Sequence, residues 1–305
     1  MKPLAVIGNV NVDLIMGPAA PWPQPGTEVI VDHDELRVGG SAGNTGLAWQ
    51  ALGVPFEIAA SIGGDQFGTW LAEGFGDHAR DWPVHEGSTT LTVGITHPDG
   101  ERTFFTTRGH LPLYGLDDVL AVLDGERLAG GVALLCGSFL TDKLVEEYDA
   151  LFNWADHYGI AIALDTGWPL DGWTEANRTA AKSWLSRCRI ALFNEVETTS
   201  LAGVPDPTEA AHILRKGMPE GSIAVVKCGP KGAIAIDADG RVVSAAAPPV
   251  EVVDTIGAGD VFNAGFLAAY AAGQGLEESL AAGTAMASLA ISTHPRRYGL
   301  KDIQA

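Results

Sequence analysis

From position 132 onward, short apolar runs alternate with amphipathic stretches. The runs are Val132–Cys136, 160–164, 190–193 and Ile223–Lys227, and each reads as a buried strand. Between them lie helical patterns over 142–157, 177–186, Glu195–Ala202 and Pro207–Lys216. Such βα alternation predicts right-handed crossovers and a mostly parallel sheet covered on both faces. Ala233–Ile236 and Val242–Ala245, around Asp239-Gly240, predict a hairpin. Two helical patterns, 258–272 and 276–293, follow.

The first third has a different rhythm. Residues 4–10 form a β-branched apolar run, a strand rather than a signal peptide. Pro18, Pro21, Pro23 and Pro25 then break regular structure. Residues 28–38 alternate apolar and polar positions, which predicts a half-exposed strand pair. A helix over 42–52, a strand over 56–62 and a helix over 67–75 come next. Residues 89–107, around Pro98-Asp99-Gly100, predict a second hairpin. The pattern implies one α/β domain over 1–305, with a small antiparallel flap from insertions at about 17–38 and 89–109.

Composition narrows the function classes. The 38 acidic side chains outnumber the 19 basic ones, giving a formal charge of -19. Nucleic-acid binding needs a concentrated basic footprint, so that partner is excluded. Docking on anionic membranes is disfavoured for the same reason. The longest apolar stretches, 261–272 and 280–291, are too short to span a bilayer. Cys136, Cys188 and Cys228 are far apart and lack any CxxC, so they read as reduced thiols in a cytoplasmic protein. The 38 glycines exceed average usage, which makes their positions informative.

Two glycine-rich segments carry candidate chemistry. In Asp254-Thr255-Ile256-Gly257-Ala258-Gly259-Asp260, two glycines precede an amphipathic helix and an acid sits in its first turn. Free N–H groups and the positive dipole end there suit a phosphoryl group. Helix capping would account for Asp260 equally well, but not for Gly257 and Gly259. The second segment is Gly39-Gly40-Ser41-Ala42-Gly43-Asn44. Gly39, Ser41 and Gly43 match the G-x-S-x-G of a serine-hydrolase elbow. Ser41 comes too early in the chain for that fold, and no Asp-then-His pair follows.

Weaker patterns fall away. No Gly-Lys dipeptide exists, so there is no P-loop, and no G-x-G-x-x-G occurs. Asp165-Thr166-Gly167 is half of an aspartic-protease pair without its second copy. Asn11 and Asp13 point the same way by the period of two, either as a solvated strand end or as ligand-binding groups at a sheet edge. Asn194 with Glu197 reads either as a capping box or as a carboxylate near metal-bound phosphates.

Taken together, these segments resemble the ribokinase-like (PfkB) carbohydrate kinase family. Gly39 through Asn44 looks like its first signature, and Asp254 through Phe266 like its second. Asn194 to Glu197 is similar to the N-x-x-E magnesium motif, and Asn11 with Asp13 to the substrate-anchoring N-x-D. Lys227-Cys228-Gly229-Pro230-Lys231-Gly232 resembles the turn along the nucleotide. The resemblance implies a three-layer α/β fold, with a central mostly parallel sheet flanked by helices and a small β lid. It implies transfer of the γ-phosphoryl group of ATP to a hydroxyl of a small sugar.

On this resemblance Asp260 is the general base, with Gly257, Ala258 and Gly259 as an anion hole. Asn11, Asp13, Gly40 and Asn44 hold substrate. Asn194, Lys227, Gly229 and Gly232 line the nucleotide. Glu197 serves Mg²⁺ through water, and Asp254 a monovalent cation such as K⁺. A homodimer through the lid would be in keeping. A nucleoside kinase of the same fold is the alternative, or a catalytically silent sugar-binding regulator. Intact Asp260 and Glu197 count against the regulator. Three positions depart from the family pattern: Ser41 where ribokinases often carry Lys, Asp165-Thr166-Gly167-Trp168, and 293–299 without a Gly-Ala loop.

Overall fold

The computed structural model describes residues 1–98 and 101–298. Among the described residues, fourteen strands follow one another. The early ones are Leu4–Gly8 (β1), Asn11–Gly17 (β2), His33–Gly39 (β3), Glu57–Ala59 (β4), Ile62–Gly63 (β5), Val84–His85 (β6), Leu91–Thr96 (β7) and Arg102–Thr106 (β8). The later ones are Val132–Cys136 (β9), Ala161–Asp165 (β10), Ile190–Asn194 (β11), Ile223–Lys227 (β12), Ala233–Ile236 (β13) and Val242–Ala245 (β14). The main helices are Ser41–Leu52 (α1), Gln66–Phe75 (α2), Leu116–Val122 (α3), Asp142–Glu146 (α4), Tyr148–Tyr158 (α5), Glu175–Leu185 (α6), Glu195–Ala202 (α7), Pro207–Lys216 (α8), Ala258–Ala271 (α9) and Leu276–Ile291 (α10).

Eight strands form the central sheet in the order β14-β13-β12-β11-β10-β9-β1-β4. From β4 to β12 all neighbours are parallel, while β13 and β14 add an antiparallel edge. The apolar runs produce this arrangement because both faces of each strand must be covered. Alternate residues feed two separate cores. Val6, Leu134, Leu192 and Val225 pack with Trp49 and Phe266 on one face. Ile7, Leu135, Phe193 and Val226 pack with Leu151 and Phe152 on the other. The fold is therefore the expected three-layer α/β arrangement. No helix among the described residues is long and apolar enough to cross a membrane.

A smaller sheet, β3-β2-β7-β8, rises from the same end of β1. It corrects the reading of the first third in two ways. Asn11 and Asp13 do not close the first strand; they open β2, which leaves the central sheet at Asn9 and Val10. The alternation over 28–38 forms one strand, His33–Gly39, rather than a pair. Its partner is β2, with Asp13 opposite Arg37, so the small sheet begins well before position 17. The pattern over 56–62 divides into β4 and β5, and that over 142–157 into α4 and α5. The hairpin of β7 and β8 is present, while Asp99 and Gly100 of its expected turn lie outside the described residues.

Candidate active site

Both glycine-rich segments end as helix starts facing each other. Gly257 sits at the N-terminus of α9 with φ +73°, and Gly40 precedes α1 with φ +82°. Neither position has a side-chain cap, and of the N–H groups that open α9 that of Ala258 turns back to the Thr255 carbonyl at 3.2 Å. Crowding explains both glycines. A Cβ on Gly257 would lie 2.7 Å from Asn44 Nδ2, and one on Gly40 would lie 2.3 Å from the Asn9 carbonyl. The two helices are clamped together. Thr45 Oγ1 donates to the Asp260 carbonyl at 3.2 Å, and Trp49 Nε1 donates to the Ala264 carbonyl at 2.9 Å.

Asp260 lies at the centre of this junction. Asn44 Nδ2 donates to its Oδ2 at 2.9 Å, and Ser41 also hydrogen-bonds it. Burial, reinforced by the nearby Asp165 carboxylate, pushes Asp260 up to about 6, against the pull of Lys227 and the two donors.

On one side of Asp260 opens a cavity of about 680 Å³, within the range of small-molecule sites. Asn194, Glu197, Lys227, Gly229, Gly232 and Gly257 to Asp260 help line it, and Val250, Val252, Phe262 and Ile291 give it an apolar end. On its floor, Lys227 Nζ donates to Asp165 Oδ2 at 2.6 Å and to Asn263 Oδ1 at 3.3 Å. Asn263 Nδ2 donates to the same Asp165 oxygen at 2.6 Å.

Asn194 and Glu197 do form the capping box, each side chain receiving the other's N–H at 2.8 Å. The box holds Glu197 nearly fully buried. Burial and Asp165 push its carboxyl up to about 7 despite Lys227. Three acids, Asp165, Glu197 and Asp260, therefore share one ammonium. These carboxylate oxygens suit a hard divalent cation such as Mg²⁺ held through water rather than in a direct cage, since among the described residues their ligand atoms do not gather within 4.8 Å of one another.

On the other side stands the small sheet. Asn11 Nδ2 donates to Asp13 Oδ1 at 2.8 Å and to Thr92 Oγ1 at 3.4 Å. Burial raises Asp13 to about 6, although Arg37 and Asn11 oppose the shift. Gly39 leaves the room for it, since a Cβ there would meet the Asp13 carboxyl at 2.1–2.3 Å. The Asp260 carboxylate raises Asp13 further, so this face and the cavity meet at Asp260.

Asp254 departs from expectation. Its Oδ2 receives Arg37 Nη1 at 2.6 Å and Arg296 Nη2 at 2.8 Å, while Oδ1 accepts the Ile256 N–H at 2.9 Å. Burial would raise it, but the Ile256 N–H and the two guanidiniums hold it below the usual range. The place expected for a monovalent cation already has two arginine charges. Sequence patterns did not single out Arg37, Asp165, Asn263 or Arg296 as site groups. The only signal was the position of Arg37 opposite Asp13, which requires the strand register to be known.

A family model described as pfkB family carbohydrate kinase matches residues 1–302. The chain belongs to the pfkB carbohydrate kinase family. It is 25% identical over 302 residues to the ribokinase of Arabidopsis thaliana, covering 95% of this chain and 76% of that one. It is 27% identical over 282 residues to the 1-phosphofructokinase of Escherichia coli (strain K12), covering 86% and 83%. The solved structure of the Arabidopsis ribokinase complexed with ribose and ATP superposes with a TM-score of 0.78 at 24% identity, covering 96% and 93%. The chain is thus a sugar kinase of the pfkB family.

Proposed function

We propose that this pfkB kinase transfers the γ-phosphoryl group of ATP to a hydroxyl of a small sugar, with Asp260 as general base. The observation that carries the reading is the position of Asp260. A buried carboxylate with a raised proton affinity stands between a nucleotide-sized cavity and the polar face of the small sheet. A carboxylate that titrates near 6 is still ionised at neutral pH, yet is a stronger base than an ordinary Asp.

ATP occupies the cavity along Asn194, Lys227, Gly229 and Gly232. Its γ-phosphoryl group meets the N–H groups of Gly257, Ala258 and Gly259, which stabilise charge as it spreads over the transferring oxygens. Asn11, Asp13, Gly40 and Asn44 hold the sugar so that its hydroxyl faces Asp260, which takes the proton as the new P–O bond forms. Mg²⁺, held through water near Glu197, would neutralise phosphate charge when bound. Asn44 and Ser41 keep the Asp260 carboxylate oriented. The small sheet, formed by β2, β3, β7 and β8 within one 1–305 domain, acts as a lid that excludes water. Its outer face, with Leu36 and Phe105 exposed, suits a homodimer, and the reduced cysteines suit a cytoplasmic setting.

An ADP-release assay over neutral sugars, charged sugars and nucleosides tests the reading, with Asp260→Asn as control. Sugar-dependent ADP release that disappears in the variant is the expected result. Turnover confined to nucleosides would move the protein to the alternative class. Binding of a sugar without any ADP release would make it a silent regulator.

A further inference from the structure

We infer that the acceptor sugar carries an anionic group, a phosphate or a carboxylate, received by Arg37 and Arg296. The inference rests on the sugar-kinase reading above and narrows its substrate class.

Two guanidinium nitrogens are the basis. Arg37 Nη2 and Arg296 Nη1 are buried and have no hydrogen-bond partner among the described residues. Their side chains are only 10% and 6% exposed. A buried guanidinium N–H left unpaired is costly, so a missing acceptor is expected at each. Of the other terminal nitrogens, Arg37 Nη1 bonds Asp254 and Glu35, and Arg296 Nη2 bonds Asp254. Asp254 therefore acts as a brace that fixes both guanidiniums while one nitrogen of each stays free.

The free nitrogens belong to the acceptor side. Arg37 stands directly opposite Asp13 on β3 and β2, on the same face of the small sheet. Arg296 Nη1 would lie 3.1 Å from a Cβ on Gly257, alongside Asn44 Nδ2. Neither arginine lines the 680 Å³ nucleotide cavity, whose cation is Lys227. Arg102 of β8 reaches the same loop and donates to Thr255 Oγ1. Three of the chain's 19 basic residues thus converge on one loop of a protein with a charge of -19. Planar guanidiniums suit phosphate and carboxylate oxygens, whereas a neutral hydroxyl accepts from them more weakly.

The test compares neutral hexoses and pentoses with their phosphates and with the corresponding sugar acids. Turnover is followed by ADP release, and binding by calorimetry without ATP. The proteins are wild type, Arg37→Gln, Arg296→Gln and the two Lys replacements, which keep charge on Asp254 and control for misfolding. One anionic class should exceed its neutral parent in kcat/KM by about 100-fold or more. The phosphate and acid arms say which. Each Gln variant should raise KM for that anion about 10- to 100-fold, a larger rise than it causes for the neutral parent.

A neutral sugar used as well as every charged analogue would overturn the inference. So would an equal loss for neutral and charged acceptors, which would place the arginines on the transferring phosphoryl group. If nothing is phosphorylated, the kinase reading fails by itself. Calorimetry then decides the inference: arginine-dependent binding of a charged sugar sustains it, and no such binding overturns it.

Discussion

Asn44 and Asp260 lie 216 positions apart, yet Asn44 Nδ2 donates to Asp260 Oδ2 at 2.9 Å. This bond joins the two glycine-rich turns and fixes the direction of the proposed base. Asp260→Asn replaces an acceptor oxygen with a group that cannot take a proton. It should lower kcat by about 10²- to 10⁴-fold while leaving the KM for ATP within a few-fold. Steady-state kinetics and ATP calorimetry check the two halves. Asn44→Ala should lower kcat less, because it loosens the base rather than removing it. Full turnover in Asp260→Asn would assign the proton transfer to another group.

The pH profile follows from the same carboxylates. Asp260 is raised to about 6, chiefly by burial and Asp165, and Asp13 to about 6, chiefly by burial. A base works only when deprotonated, so kcat/KM should climb with pH and level off above about 7. If both must be ionised, the limb below 6 should be steeper than tenfold per unit, and the repulsion between the two acids spreads the two proton losses over a wider pH range. Asp13→Asn should leave a single-proton limb. A flat profile from pH 5 to 7 would refute the assignment of both groups.

Stability should run the other way. Groups with raised folded pKa values hold protons that the unfolded chain has released. Asp13, Asp260 and Glu197 therefore favour the folded state most below about pH 4. That contribution is lost as pH rises through about 6 to 7. Asp260→Asn removes one share of the loss, so it should melt higher than wild type at pH 7.5. The gap should shrink at pH 5. A variant less stable at both pH values would show that the lost contacts outweigh the relieved charge.

Much of this was legible in the chain. Runs such as Val132–Cys136 and Ile223–Lys227 appear as strands with the expected bounds, because burial on both faces permits no other pattern. The glycine segment ahead of Asp260 was legible because Gly257 must adopt positive φ in a crowded turn. Asn11 and Asp13 were harder, since the sheet to which a short polar strand belongs depends on its partner and not on its own sequence. The roles of Arg37, Asp165 and Arg296 were not legible. They arise from contacts between distant segments, as with Arg37 and Asp254 at a separation of 217.

Gly257 gives a prediction about backbone geometry. An Ala there must hold φ +73° and place its Cβ 2.7 Å from Asn44 Nδ2. The left-handed backbone costs about 1–2 kcal/mol, and Asn44 must retreat from Asp260. Gly257→Ala should fold with a lowered melting temperature and lose about 100-fold in kcat. Gly259→Ala is the contrast. Its Cβ would meet only the flexible end of Lys227 at 3.3 Å, so stability should hardly change. Equal stability losses in the two variants would contradict the crowding at Gly257.

Lys227 tests the charge arrangement under the nucleotide. Its ammonium is the one cation paired with Asp165, and Asp165 and Glu197 raise its own pKa against the opposing effect of burial. Lys227→Met keeps most of the volume but leaves Asp165 buried with only neutral donors, Asn263 Nδ2 at 2.6 Å and the Gly167 N–H at 3.4 Å. Removing one member of a buried ion pair costs about 3–5 kcal/mol, so the variant should melt well below wild type at pH 7.5. Protonation of the stranded acids should restore part of the loss at pH 5, where wild type and variant should converge. A divalent cation offers a second compensation. If the Asp165, Glu197 and Asp260 cluster is where it binds, millimolar Mg²⁺ should stabilise Lys227→Met more than wild type in thermal melts. A variant whose melting temperature ignores both pH and Mg²⁺ would show that this lysine does not balance the three acids.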